Sequence, residues 1–313
     1  MKNHAKTLRG MFFLLLAAMV WGTSFVAQDL ASDTVGPFTF NACRMLLGGL
    51  CLLPLALFRT RRARLSPSKP SKKLLILGGA VCGAVVFFAA YLQQQGIALG
   101  TSAGKSGFIT AMYVIMVPMA GLFFRKRVRP IVWICVLVAA VGMYCLCLAD
   151  FSAGMEGIAA NFSMDKGDLF TFFCAVAFTA HILVVDHFAP QMDGVLLSCM
   201  QFLFAGVLGV ICMFLFEQPS WDQILSASGA ILYSAVFSCG MGYTFQILGQ
   251  RTTPPAIASI LMCLESVFAV LSDMVWLGTR MTAEEIVGCA LMFLAILAPN
   301  VADLAASRKP KAK

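Results

Sequence analysis

The sequence predicts an all-α membrane protein of ten transmembrane helices, arranged as two five-helix repeats of inverted topology. Three observations lead there. Of the 313 residues 60% are hydrophobic and only 12% charged, with a mean hydropathy of +0.85, whereas soluble chains carry roughly 25% charged residues. Ten apolar segments of about 20 residues, the length a bilayer core requires, follow one another with short connections. The chain also matches itself when slid. At an offset of 157, Gly10 falls on Gly167, Phe13 on Phe170, Ala18 on Ala175, Asp29 on Asp186, Leu46 on Leu203 and Gly49 on Gly206. At an offset of 152, Tyr91 falls on Tyr243, Gln94 on Gln246 and Thr101 on Thr253. An odd number of spans per copy turns the second copy upside down, as in many secondary transporters. The halves are read as residues 1–160 and 161–313.

The spans lie at roughly 11–29, 37–58, 74–95, 103–124, 130–149, 167–186, 194–216, 227–248, 254–276 and 283–303. Lys2, Lys6 and Arg9 precede the first, and Trp21-Gly22-Thr23-Ser24-Phe25 continues it beyond the length of a signal peptide. The loop after the second span holds Arg59, Arg61, Arg62, Arg64, Lys69, Lys72 and Lys73. Gly100 to Ser106 form a tight turn into the fourth span, with Lys105 reaching for the interface. Arg125, Lys126, Arg127 and Arg129 separate the fourth span from the fifth, and residues 150–166 form a longer connection to the sixth, the partner of the first. Arg251 follows the eighth span, and Arg308, Lys309, Lys311 and Lys313 close the chain. Nineteen of the 23 basic residues thus lie on one side, which places both termini in the cytoplasm by the positive-inside rule. The net charge of +8 therefore marks topology in a cytoplasmic membrane and not a nucleic-acid partner.

Other chemistries find little support. Gly100-Thr101-Ser102-Ala103-Gly104-Lys105-Ser106 has three residues between its glycines where a phosphate-binding loop needs four, and it follows a membrane helix instead of a strand. His181, Asp186 and His187 are spaced by five and six residues, so they point to different faces of one helix. The twelve cysteines are scattered through the spans and read as packing residues. No metal site, cofactor or catalytic constellation is expected. Asn161-Phe162-Ser163 is a glycosylation acceptor only in a eukaryotic host.

Polar groups at mid-membrane depth are the candidates for function, since burying them is costly. Counted at about 1.5 Å per residue, Glu265 and Tyr113 fall near the midplane and are equivalents at offset 152. Trp21 and Phe178 do the same at offset 157. These four are read as lining one central site, with helix packing the competing account for the aromatics and an interhelical hydrogen bond for the carboxylate. Arg44, close enough to the helix end to snorkel, is open to three readings: counter-ion to Glu265, ligand of a substrate carboxylate, or structural anchor. Its repeat partner is Gln201. Tyr91 with Gln94, and Tyr243 with Gln246, sit i to i+3 near opposite membrane surfaces and are read as gates.

Trp21-Gly22-Thr23-Ser24-Phe25, Pro37-Phe38 with Arg44, the Thr101-Ser102-Ala103 turn leading to Tyr113 and Pro118, and Leu264-Glu265-Ser266-Val267-Phe268 resemble the EamA family of the drug/metabolite transporter superfamily, over residues 10 to 303. The resemblance implies alternating access, a central cavity, the fifth and tenth helices at the periphery, and export of amino acids and related metabolites. Two positions depart from the family pattern. Ser266 stands where a proline is usual, which predicts a straighter ninth helix, and Gly278-Thr279 stands where Gly-Glu is usual. The expected partners are a small-molecule substrate and the lipid bilayer, and a homodimer stays open. Import or exchange of nucleosides, organic cations or vitamins, and a scaffold or receptor without transport, are the alternative functions.

Overall fold

A computed structural model of the chain describes residues 2–63, 71–101, 103–123, 128–148, 164–277 and 280–308. The helices are α1 (Lys2–Ser32), α2 (Pro37–Ala63), α3 (Lys72–Ala98), α4 (Ala103–Thr110), α5 (Tyr113–Phe123), α6 (Pro130–Cys147), α7 (Lys166–Phe188), α8 (Gly194–Phe216), α9 (Trp221–Ser226), α10 (Ser228–Tyr233), α11 (Tyr243–Gln250), α12 (Pro255–Met262), α13 (Glu265–Leu277) and α14 (Ala283–Arg308). A π-helical stretch, Ser234–Gly242, joins α10 to α11. There is no strand among the described residues. Arg64, Lys69, Ser102, Arg125, Lys126, Arg127, most of the 150–166 connection with its Asn161-Phe162-Ser163, Gly278-Thr279, and Lys309, Lys311 and Lys313 lie outside them.

Local chemistry sets many of the helix ends. Ser71 caps α3 by accepting from the Leu74 N–H, Asp165 and Asp168 form a reciprocal capping box on α7, and Asp193 accepts from the Val195 and Leu196 N–H groups at the start of α8. Pro130 and Pro255 open α6 and α12, where the missing N–H costs nothing. Gly100, at φ +98°, makes the turn between α3 and α4 in a conformation other residues rarely adopt.

Nine segments among the described residues are long and apolar enough to cross a membrane, one fewer than the ten predicted. The tenth predicted span corresponds to α14, a helix of 26 residues that packs along α6. Two further predicted spans are interrupted. The fourth breaks at Ala111-Met112 into α4 and α5, and the ninth at Cys263-Leu264 into α12 and α13. With the offset of 152, α4 maps residue for residue onto α12, and Tyr113, the first residue of α5, maps onto Glu265, the first of α13. The bonding across the breaks matches too. Met112 N–H bonds to Ile109 O and Val114 N–H to Ala111 O, while Leu264 N–H bonds to Leu261 O and Ser266 N–H to Cys263 O. These are tight i to i+3 turns, typical of functional interruptions in a helix. The straighter ninth helix expected from Ser266 is therefore not what forms. The break needs no proline, since Val114 occupies the equivalent position in the other half.

Packing repeats too, with Gly10 matching Gly167 at offset 157 and Gly96 falling one residue from the offset-152 position of Gly249. A Cβ on Gly10 would lie 2.9 Å from the Gly249 carbonyl oxygen and one on Gly249 2.8 Å from that of Gly10. A Cβ on Gly96 would lie 2.9 Å from the Gly167 oxygen and one on Gly167 2.8 Å from that of Gly96. The α1–α11 crossing thus has its counterpart in the α3–α7 crossing. In the α2–α8 pair the contact is its own image, with Gly49 against Leu203 and Gly206 against Leu46. Only a residue without a side chain lets backbones approach this closely, a common device where helices meet in lipid.

Candidate functional site

At the centre of the bundle lies a cavity of about 40 Å³, room for a few water molecules. Its wall is built first by α1, where Trp21, Ser24, Phe25 and Gln28 recur at i, i+3, i+4 and i+7 and so present one face. Phe178 and Ile182 of α7, the offset-157 equivalents of Trp21 and Phe25, stand across from them. The helix breaks supply Thr110 and Tyr113 from one half and Met262 and Glu265 from the other. Arg44, Gln93, Ser238, Tyr243 and Gln246 complete the lining.

Glu265 is buried, 6% exposed, and its Oε1 accepts a hydrogen bond from the Tyr113 hydroxyl at 3.3 Å. Beside this contact Cys263 Sγ lies 3.8 Å from the Ala111 carbonyl oxygen, so the two breaks are joined face to face. Glu265 heads α13, where the positive end of the helix dipole favours negative charge. Half-helices meeting in this way near the midplane are how transporters with inverted repeats present polar groups to a substrate.

Arg44 is only 3% exposed, which rules out the snorkelling anchor: it points inward. Its Nε donates to Asn41 Oδ1 at 2.9 Å and its guanidinium lies over the Phe40 ring at 4.9 Å. Asn41 in turn donates to the carbonyls of Pro37 and Ala90, which locks the arginine in place. No ion pair joins Arg44 to Glu265 among the described residues. Opposite formal charges thus line one cavity without neutralising each other, and the counter-ion reading fails for want of contact.

Tyr243 is the hub of the aromatic wall, edge-on to Trp21 at 4.7 Å, to Phe202 at 5.2 Å and to His181 at 5.8 Å between ring centroids. Trp21 Nε1, Gln28 Oε1 and Gln246 Oε1 are buried without a hydrogen-bond partner. Unpaired polar atoms around a cavity are the groups a bound solute would satisfy.

All five residues read as substrate-binding, Trp21, Arg44, Tyr113, Phe178 and Glu265, line this one cavity. The four read as gates divide. Tyr243 and Gln246 belong to the cavity wall instead of a membrane surface. Tyr91 stacks on Phe38 at 4.1 Å, and Gln94 is fully buried, donating to the Gln28 carbonyl at 3.0 Å. The π-helical stretch directly before Tyr243 breaks the mirror relation of the two pairs, because its counterpart in α3 is regular α-helix. Lys105 does not snorkel either. It forms an ion pair of 2.5 Å with the buried Asp168, tying α4 to α7. Sequence reasoning missed Ser24, Phe25, Gln28, Gln93, Thr110, Ile182, Ser238 and Met262. For six of them the signal was present, since each lies one or two helical turns from Trp21, Phe178, Tyr113 or Glu265, whereas Gln93 and Ser238 lie on helices where none of these four marks the face.

The sequence pattern of the EamA-like transporter family matches residues 8–148 and again residues 165–300. The chain belongs to this family. It is 26% identical over 287 residues to an uncharacterized transporter of Archaeoglobus fulgidus, covering 91% of this chain and 83% of that one. It is 27% identical over 302 residues to the uncharacterized transporter YwfM of Bacillus subtilis, covering 96% and 95%. A protein of known crystal structure shares the fold with a TM-score of 0.73 at 18% identity, over 95% of this chain and 99% of that chain. The EamA-like protein described here is a multi-pass membrane transporter.

In this family member α6 and α14 contribute nothing to the cavity wall among the described residues. They pack on each other through Gly142 and Gly288, where a Cβ on either would lie within 3.0 Å of the other's carbonyl oxygen, and they flank the site.

Proposed function

We propose that the protein is a secondary transporter that moves amino acids or related amphipathic metabolites out across the cytoplasmic membrane by alternating access. The observation that carries the reading is the pairing of Arg44 and Glu265 on one buried cavity without an ion pair between them. A solute with a carboxylate and an ammonium group satisfies both charges, and the aromatic wall of Trp21, Phe178 and Tyr243 accepts an apolar side chain. The two halves, 1–160 and 161–313, act as repeat-related units in this reading, supported by the double family match and the matched helix breaks. Small-molecule sites run to roughly 300–1,000 Å³, and the cavity holds about 40 Å³. Admitting a metabolite therefore requires the helices to part, which is the motion alternating access describes. Glu265 serves either as a ligand for the ammonium group or as the carrier of a coupling proton.

Purified protein in proteoliposomes is expected to move labelled amino acids faster than empty vesicles do. Flux equal to that of empty vesicles across a panel of amino acids would return the protein to a transporter of another solute. Trp21→Ala is expected to weaken transport of aromatic and bulky aliphatic substrates by roughly tenfold, with glycine and alanine little affected. A uniform loss across the panel would mean that Trp21 holds the fold and not the substrate. For orientation, single cysteines at Lys73 and Lys166, both exposed, are expected to react with an impermeant thiol reagent from opposite faces, and Lys166 alone in intact cells. Labelling of position 73 in intact cells would reverse the topology.

A further inference from the structure

His181 and Gln201 are both 0% exposed and form a polar pair inside the bundle, His181 Nε2 to Gln201 Oε1 at 3.2 Å. The pair is incomplete, since His181 Nδ1 and Gln201 Nε2 have no hydrogen-bond partner. Whichever tautomer the ring adopts, and whichever way the amide is turned, a polar hydrogen or lone pair stays unused at each end. Native interiors leave few such groups, and each asks for an explanation.

The repeat register supplies one. At the offset of 157, His181 is the equivalent of Ser24 and Gln201 the equivalent of Arg44. Ser24 and Arg44 line the cavity; His181 and Gln201 do not. On α7, His181 belongs to the same stripe as Phe178 and Ile182, which do. The two pairs are also mirror-placed in depth. Arg44 is about seven residues from the start of α2 and Ser24 about eight from the end of α1, whereas His181 is about seven from the end of α7 and Gln201 about seven from the start of α8. At about 1.5 Å per residue each pair lies near 10 Å from its own membrane face, and the faces are opposite. The Tyr243 ring, part of the cavity wall, packs edge-on against both His181 and the cavity residue Trp21.

We infer that His181 and Gln201 form a second polar subsite, the mirror image of the Ser24–Arg44 subsite, which takes the polar group of the substrate when the cavity opens toward the face that carries the N-terminus. This rests on the transport reading above. The ligand class is a carboxylate or similarly hydrogen-bonding polar group. It is met by a guanidinium at one face and by uncharged donors at the other, so it is held by charge on one side and by hydrogen bonds alone on the other.

The subsite is tested first on the unaltered protein in proteoliposomes with diethyl pyrocarbonate, which carbethoxylates imidazole nitrogens, read by mass spectrometry. His187, exposed at the end of α7, is expected to react fast, and His181 more slowly but to a measurable extent. Complete reaction of His187 with His181 untouched would overturn the inference. The Ser24→Cys and His181→Cys variants, made without the twelve native cysteines, are then exposed to a small impermeant methanethiosulfonate from each face in turn. Reaction of the Ser24 variant from one face and of the His181 variant from the other is the expected result. If the Ser24 variant reacts and the His181 variant reacts from neither face, the second subsite is refuted and the transport reading stands. If neither reacts from either face, the transport reading falls with it. Should the cysteine-free background fail to fold, the histidine modification of the native chain decides.

Discussion

Glu265→Gln abolishes gradient-driven flux in proteoliposomes while substrate binding and exchange stay near their original levels, if Glu265 carries the coupling proton. The substitution keeps the side chain's size and its acceptor for the Tyr113 hydroxyl, 3.3 Å away, and removes only the ability to take up and release a proton. A carboxylate 6% exposed at the joint of two half-helices is costly to keep there, and loss of driven flux with binding intact is the signature of a coupling role. If Glu265 is instead the ligand for an ammonium group, binding itself falls, by roughly tenfold to a hundredfold for a lost charge-assisted hydrogen bond of about 1.5–3 kcal/mol. Binding measured by thermal shift, alongside counterflow, separates the two outcomes. Driven flux and binding both unchanged in a folded variant would return Glu265 to a structural hydrogen bond between α5 and α13.

The second large effect is on folding. Gly206→Leu is expected to leave almost no monodisperse protein in detergent, because a Cβ at that position would sit 2.7 Å from both the N and Cα atoms of Leu46. Backbone cannot move aside as a flexible side chain can, so α2 and α8 must separate along their whole contact. Overpacking of well-fitted cores costs about 1–3 kcal/mol even where side chains can adjust, and here the obstacle is main chain. Gly49→Leu is expected to act alike, since its Cβ would meet the Leu203 nitrogen at 2.9 Å. Gly229→Ala, where nothing lies within 4 Å, serves as the control and keeps the wild-type elution profile and melting temperature. Normal behaviour of Gly206→Leu would mean that this crossing is not what holds the halves together.

The fold and part of the cavity were legible in the sequence for a physical reason. In lipid every backbone polar group must be satisfied within its own segment, so an apolar run of about 20 residues has little choice but to be a helix. A duplicated sequence also carries the same contacts twice, which is why Trp21 with Phe178 and Tyr113 with Glu265 could be paired from their spacing. The half-helices were hidden because apolar composition runs unbroken through Ala111-Met112 and Cys263-Leu264, and no glycine or proline marks either turn.

Composition and the match of the chain to itself already showed that it lies in a membrane and that it is built twice over. Hydropathy acts on each segment alone, so it is readable before any packing is known. Only the tertiary structure decided where the polar residues point. It turned Arg44 inward on Asn41 and Phe40 instead of outward to the interface, joined Lys105 to Asp168, drew Tyr243 and Gln246 into the cavity wall, and left His181 and Gln201 buried behind the Tyr243 ring. These outcomes depend on how neighbouring helices rotate about their axes as glycine contacts and side chains interlock, and rotation is a property of the packed bundle that no single segment encodes.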